Sequence, residues 1–249
     1  MKTIYKLSAI AFGTLISAVM VSEAAAAITF VSDRAALQGT DSLDWSSLGR
    51  VFTGAPDPSV FLGNSFTATT ESGLGLTVDI PPTNNPAILL PFVFQTVSGG
   101  IETNFADGDF ILFTGLLPTA PPAPGNPGPL TLIFDQPVAA VGSQLAVDDI
   151  FNFTGFISAF DIDGNLLDTF SAPGTSSLAQ DNSAAFFGVA SDEANIGSVA
   201  FSSSVPTSAI GINTLSLVPG VTTSVPEPAT TAALILTVGL MMGYKKSVA

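Results

Sequence analysis

Between Ile28 and Ser224 the apolar residues come in short runs separated by Gly, Pro, Ser, Thr, Asn and Asp. That is the spacing of short strands and turns, so the segment reads as all-β. In the first half the pattern predicts strands at ITFV from Ile28, SFTATT from Ser65, LGLTVDI from Leu74, PFVFQTV from Pro91 and DFILFTG from Asp109. LLPTAPPAPGNPGPL follows, whose prolines and glycines forbid a regular ladder, and it reads as a surface crossover. Beyond it the pattern predicts further strands in LTLIFDQPVAAVGSQLAV, FNFTGFISAFDIDGNLLDTFS, SAAFFGVA, IGSVAFSSS and SAIGINTLSLV. Only SDRAALQG has helical character, with Ser32 as cap, Asp33 in the first turn and Gly39 as stop.

The stretch FTGFISAFDIDGNLLDTFS lets a register be argued. A type I turn over Asp161, Ile162, Asp163 and Gly164, with Gly164 as the bulge residue, sets Asp161 opposite Asn165. Phe160 then faces Leu166, Ser158 faces Asp168 and Phe156 faces Phe170, with Ile157, Ala159, Leu167 and Thr169 on the other side. A two-residue turn at Gly164 and Asn165 would instead oppose Asp161 and Asp168, a like-charge pair that costs stability. Both faces of the hairpin are largely apolar, which predicts a central strand pair in a layered structure. The expected fold is a two-sheet sandwich of jelly-roll type. No fixed-period repeat suggests a propeller or solenoid.

The ends read differently. Lys2 and Lys6 precede an apolar run from Leu7 to Val21 and then a string of alanines, the layout of a secretory leader cut near Ala25 to Ala27. Residues 1–27 are thus expected to be a signal peptide and 28–224 the exported domain. In the tail, 225–249, the apolar segment from Ala229 to Tyr244 would make a helix of about 24 Å, slightly short of a hydrocarbon core. Lys245 and Lys246 behind it would lie on the cytoplasmic side.

Charge and composition then narrow the chemistry. Of 20 acidic residues only Glu23 and Glu227 fall outside 28–224, and of 6 basic residues only Arg34 and Arg50 fall inside. Such a surface repels phosphate backbones and excludes nucleic acid as a partner. With no His and no Cys, the chain cannot build a Ser-His-Asp triad, a Cys nucleophile with a His base, an ordinary zinc site or a disulfide framework. A lysine-free 28–224 also lacks a Ser-Lys dyad and a Schiff-base amine.

What remains is carboxylates, hydroxyls and two arginines. Asp161, Asp163, Asn165 and Asp168 are a candidate calcium loop on the hairpin, and Asp148 and Asp149 add a second acidic pair. Trp45 is the one aromatic platform for a sugar within 28–224, since Tyr5 and Tyr244 lie outside it. Paired carboxylates could also serve a glycosidase, which needs them at a defined separation in a cleft.

The order Val225-Pro226-Glu227-Pro228, apolar span and basic end resembles the PEP-CTERM sorting signal of Gram-negative bacteria. The resemblance implies that Pro226, Glu227 and Pro228 are recognised by a membrane protease-transpeptidase of the exosortase class. It also implies that Lys245 and Lys246 are the stop, with transient anchoring in the inner membrane. Two lysines stand where that family usually has an arginine-rich end, and SVA trails them. The resemblance further implies a cell-surface or matrix protein associated with exopolysaccharide or other surface proteins. The expectation is therefore an exported, non-catalytic β-sandwich protein without a required cofactor. A calcium-assisted carbohydrate-binding module is the first alternative and a carboxylate glycoside hydrolase the second.

Overall fold

The computed structural model describes residues 26–49, 51–52, 58–98, 103–117, 123–149 and 152–220. Its strands in chain order are β1 (Ile28–Val31), β2 (Asp41–Leu43), β3 (Val51–Phe52), β4 (Ser65–Thr69), β5 (Gly75–Asp79), β6 (Phe92–Gln95) and β7 (Phe110–Phe113). Then come β8 (Leu130–Val147), β9 (Asn152–Phe160), β10 (Leu166–Thr175), β11 (Ala185–Ser191), β12 (Ile196–Ser203), β13 (Ile210–Ile212) and β14 (Leu215–Pro219). The domain is all-β, and backbone hydrogen bonds join its 14 strands into one network rather than into separate ladders. The leader up to residue 25 and the tail from residue 221, with Pro226, Glu227, Pro228, Lys245 and Lys246, lie outside the described residues.

One strand explains the network. The first half of β8 alternates, with Leu130, Leu132 and Phe134 buried and Ile133 exposed. It pairs with β5 on one edge and β12 on the other, both antiparallel. The alternation breaks at Asp135-Gln136-Pro137, where the pairing with β12 jumps from Ile133↔Ser198 to Val138↔Ile196. Proline removes a ladder donor and is tolerated at such an irregularity. Beyond it Ala140 to Val147 are all buried, and this second half pairs with β11 on one edge and with β14 and β13 on the other.

The halves bury their side chains together. One core cluster includes Leu132 and Phe134, Ile157 and Ala159 of β9, Phe187 and Val189 of β11, and Leu215 and Leu217 of β14. It draws on both sides of the proline-rich crossover, since Leu76, Val93 and Leu112 also belong to it. A second cluster is aromatic, with Phe92, Phe94 and Phe113 at ring separations of 5.4 to 6.1 Å.

A short helix, α1 (Arg34–Leu37), the one α-helix among the described residues, contributes Leu37 to a third cluster with Ala140 and Phe186. Its cap is Asp33 rather than the expected Ser32, the carboxylate accepting from the N–H groups of Ala35 (2.8 Å) and Ala36 (3.1 Å). The helix stops at Gln38, whose φ of 54° is left-handed, one residue before Gly39. An Asp that caps from outside the first turn satisfies donors that a following residue could not reach.

The β9–β10 hairpin corrects part of the predicted register. The turn is as expected: Asp161 N–H bonds the carbonyl of Asn165 (2.9 Å), Gly164 N–H bonds that of Asp161 (3.1 Å), Gly164 has φ 82°, and Phe160 faces Leu166. A further bulge between Leu166 and Asp168 then shifts β10 by one residue. Thr169, not Asp168, faces Ser158, and Phe170 faces Ile157 rather than Phe156. The shift moves Phe170 to the core side, where its ring lies 5.8 Å from that of Phe30. The hairpin is also not central: β10 pairs with β9 alone among the described strands.

Candidate functional site

The hairpin loop holds its acidic residues in turn roles. The Asp161 carboxylate accepts from the backbone of Asp163 (2.9 Å) and Asn165 (2.8 Å) through Oδ1 and from the Asn165 amide through Oδ2 (2.9 Å). The Asn165 side chain and backbone thereby hold this exposed carboxyl below the usual range. Asp168, carried away by the bulge, accepts from the N–H of Thr169 (2.7 Å). Among the described residues no group of three or more acidic side chains is close enough to hold a metal ion.

Asp148 and Asp149 follow directly on β8. Asp149 takes a left-handed φ of 69° and accepts from Ala123 N–H (3.1 Å), while Asp148 donates its N–H to the carbonyl of Ala209 (2.9 Å). Burial, and then the adjacent Asp149, push the Asp148 carboxyl up to about 6. Among the described residues no third acidic side chain joins this pair to make a metal site.

Trp45, the expected sugar platform, is 0% exposed. It starts a 3-10 turn, Trp45–Leu48, capped by Asp44, and its Nε1–H bonds the Asn213 carbonyl (2.7 Å). With no face open to solvent it serves the core and cannot stack on a ligand.

That carbonyl belongs to a buried polar cluster. Asn213 sits where β13 gives way to β14, so the chain leaves one neighbour of β8 and becomes another. Its Oδ1 accepts from Arg34 Nη2 (2.8 Å) and from the backbone of Gln144 (3.2 Å). Its amide donates to Asp109 (2.9 Å) and to the Gln144 side chain. Arg34 also bonds the Thr214 carbonyl (2.8 Å) and the Ser216 hydroxyl, with its guanidinium 5.2 Å from the Phe186 ring centre. Burial lowers the pKa of Arg34 and Asp109 opposes that shift. Buried polar atoms are tolerable only when partnered, and here they fasten α1, β8, the β13–β14 break and the start of β7 to one another. Asp41 is fastened similarly: burial raises its carboxyl, and the hydroxyls of Ser72 and Thr70 with the backbones of Ser72 and Ser42 more than offset this, holding it low.

Two open surfaces of the described residues offer room for a partner. The first is a groove of about 460 Å³ bounded by Pro81 to Asn85, Ile88, Pro124 to Gly128, Pro206 and Thr207, adjoining a smaller hollow of about 230 Å³ that reaches Asn64 and Leu90. No charged side chain lines either. Asn126 braces the walls, its amide donating to the Pro81 carbonyl (2.9 Å) and its Oδ1 accepting from Gly128 (3.1 Å). The second is the outward face of β4, β5, the first half of β8, β12, β9 and β10. Register sets Thr67, Thr77, Ile133, Ser198, Phe160 and Leu166 in one row and Ser65, Asp79, Thr131, Ala200, Ser158 and Thr169 in the next. The Ser158 and Thr169 hydroxyls are 2.9 Å apart. The groove offers amides, carbonyls and threonine hydroxyls, a chemistry of neutral hydrogen bonding, while the face adds hydroxyls, apolar side chains and the carboxylate of Asp79.

Sequence reasoning missed Asn213 and the groove. The groove's Pro and Asn content was readable as loop, but its walls come from three distant segments. No protein-family model matches the chain, and no curated protein matches it.

Proposed function

We propose that this chain is an exported, non-catalytic protein of the cell surface or extracellular matrix, sorted through its PEP-CTERM-like tail. The observation that carries the reading is the order of segments: a basic, apolar, alanine-rich leader at one end, and Pro226-Glu227-Pro228, an apolar span and Lys245-Lys246 at the other. An acidic stretch 28–224 without lysine fits an exterior, soluble role. The side chains that might have served chemistry, Asp161, Trp45, Arg34 and Asn213, are engaged in holding turns and strand ends. The network is read as two facing sheets, as in a sandwich of jelly-roll type, with β8 contributing to both. In support, the Phe187 ring of β11 lies against the position a Gly155 side chain of β9 would fill, although β9 and β11 are not paired.

The test is expression in a Gram-negative host with and without its exosortase-type enzyme, followed by fractionation. The reading expects delivery to the envelope or medium with the enzyme, and retention at the inner membrane without it or in a Pro226→Ala/Glu227→Ala variant. Cytoplasmic protein with its leader intact would overturn it.

A second reading, binding of a neutral exopolysaccharide, is favoured by the uncharged groove. A sugar polymer presents hydroxyls that amides and carbonyls can pair, and an uncharged wall suits a polymer without charge of its own. Retention on immobilised exopolysaccharide, lost in Asn85→Ala, would support it. Retention that depends on calcium would point back to the acidic hairpin.

A further inference from the structure

The edges of the strand network are managed unequally. β10 carries Asp168, a bulge and Pro173, all devices that discourage pairing with another chain. β2 is covered, since Glu71 N–H bonds the Ser42 carbonyl (2.8 Å) and Ser72 bonds Asp41. β1 and β3 are shorter than β4, with four and two residues. β4 has none of these features: SFTAT runs for five residues without charge, proline or bulge, in straight register with β5.

The phase of the β4–β5 ladder decides what that edge presents. Ile80 N–H bonds the Asn64 carbonyl (2.8 Å) and Thr70 N–H bonds that of Leu74 (2.9 Å). Residues two apart share a direction, so Phe66 and Ala68 bond β5. Ser65, Thr67 and Thr69 therefore turn both backbone N–H and C=O outward, and among the described residues nothing accepts or fills them. Their side chains are exposed, while Ala68 is buried and Phe66 packs on the core.

We infer that β4 is a homotypic docking edge, pairing antiparallel with β4 of a second copy about a two-fold axis through Thr67. A second copy fits because the strand is self-complementary in this register: Thr67 meets Thr67, and Ser65 meets Thr69, each pair exchanging both backbone bonds. Threonine and serine pairs across strands are stabilising. Ser65 to Thr69 carry no charge, so the paired residues place no carboxylates face to face. The opposing term is the chain's net charge of −14, which salt screens. The inference is independent of where the protein is delivered.

The chain has no cysteine, so single thiols report the register. The full chain in mild detergent carrying Thr67→Cys should be captured as a dimer by a short bis-maleimide several-fold faster than Ser65→Cys or a distant Ser202→Cys. Capture should rise when salt is raised from about 0.05 to about 0.5 M, where the screening length falls several-fold. Thr67→Pro within a Ser65→Cys/Thr69→Cys background should cut capture at least tenfold. It removes only an outward N–H, so β4–β5 pairing and the circular dichroism of the chain should survive. Glu at the same position, Thr67→Glu, places like charges on the axis and should act likewise. Equal capture at Thr67 and Ser202, capture indifferent to both substitutions, or no capture at high salt would overturn the inference.

Discussion

Truncating Asn213 tests whether the polar cluster holds the β13–β14 break together. In Asn213→Ala the carbonyl that receives Trp45 remains, but the side chain's bonds disappear. The Gln144 backbone N–H and side-chain oxygen lose their Asn213 partners inside a buried site, at about 1–3 kcal/mol each. Arg34 keeps Thr214 and Ser216, and Asp109 keeps the N–H of Ala106, so those losses are smaller. The expected cost is about 3–5 kcal/mol, a large part of the about 5–15 kcal/mol that holds a typical domain folded. Urea unfolding followed by the single tryptophan, buried beside the site, and by circular dichroism would measure it. Adding Arg34→Met should cost less in the variant than in the parent, by about 1 kcal/mol, because the pair is coupled. A loss under about 1 kcal/mol, or strict additivity with Arg34→Met, would refute the reasoning.

Other expectations follow from single contacts. Asp148 has an ordinary value of 3.8 and about 6 when folded, so the folded state holds its proton more tightly between them. Stability should therefore fall as pH rises from about 4 to about 6, by up to about 3 kcal/mol, and Asp148→Asn should remove that fall and stabilise the protein at pH 7. Thermal melts across this window would show it, and an unchanged profile in the variant would count against it. Asp161→Ala should lower the melting temperature slightly by freeing the turn donors, equally with calcium and with chelator. A calcium-dependent cost would mean the hairpin binds the ion. Gly155→Ala places a methyl carbon 2.3 Å from the Phe187 ring and should destabilise by about 1–3 kcal/mol, with partial rescue by Phe187→Leu. An additive double variant would argue that the ring lies elsewhere.

How much was legible depended on whether the signal was local. Alternation and turn residues located β4, β5 and β8, because an exposed Thr67 next to a buried Ala68 reports the same pleat the backbone adopts. The Asp161 turn was legible for the same reason, its donors lying within four residues. The bulge after Leu166 was not, since nothing local marks it; it answers the pull of Phe30 and the core on Phe170. Asn213 looked like a strand interior in IGINTLSLV, and its role emerges only through partners such as Arg34, 179 residues away. β2 stayed hidden because DSL is too short for a period to show, and Trp45 gave no sign that its partner was Asn213. The outward hydroxyls were visible strand by strand, but their rows, and the open edge at β4, required the register.

The most direct test of the central claim is the intact mass of the protein recovered from a Gram-negative host that carries an exosortase-type enzyme. The account predicts a chain beginning near Ile28 and ending at or just before Pro226-Glu227-Pro228, found outside the cytoplasm. A chain that retains Met1 and Lys245-Lys246 and stays in the cytoplasm would contradict it.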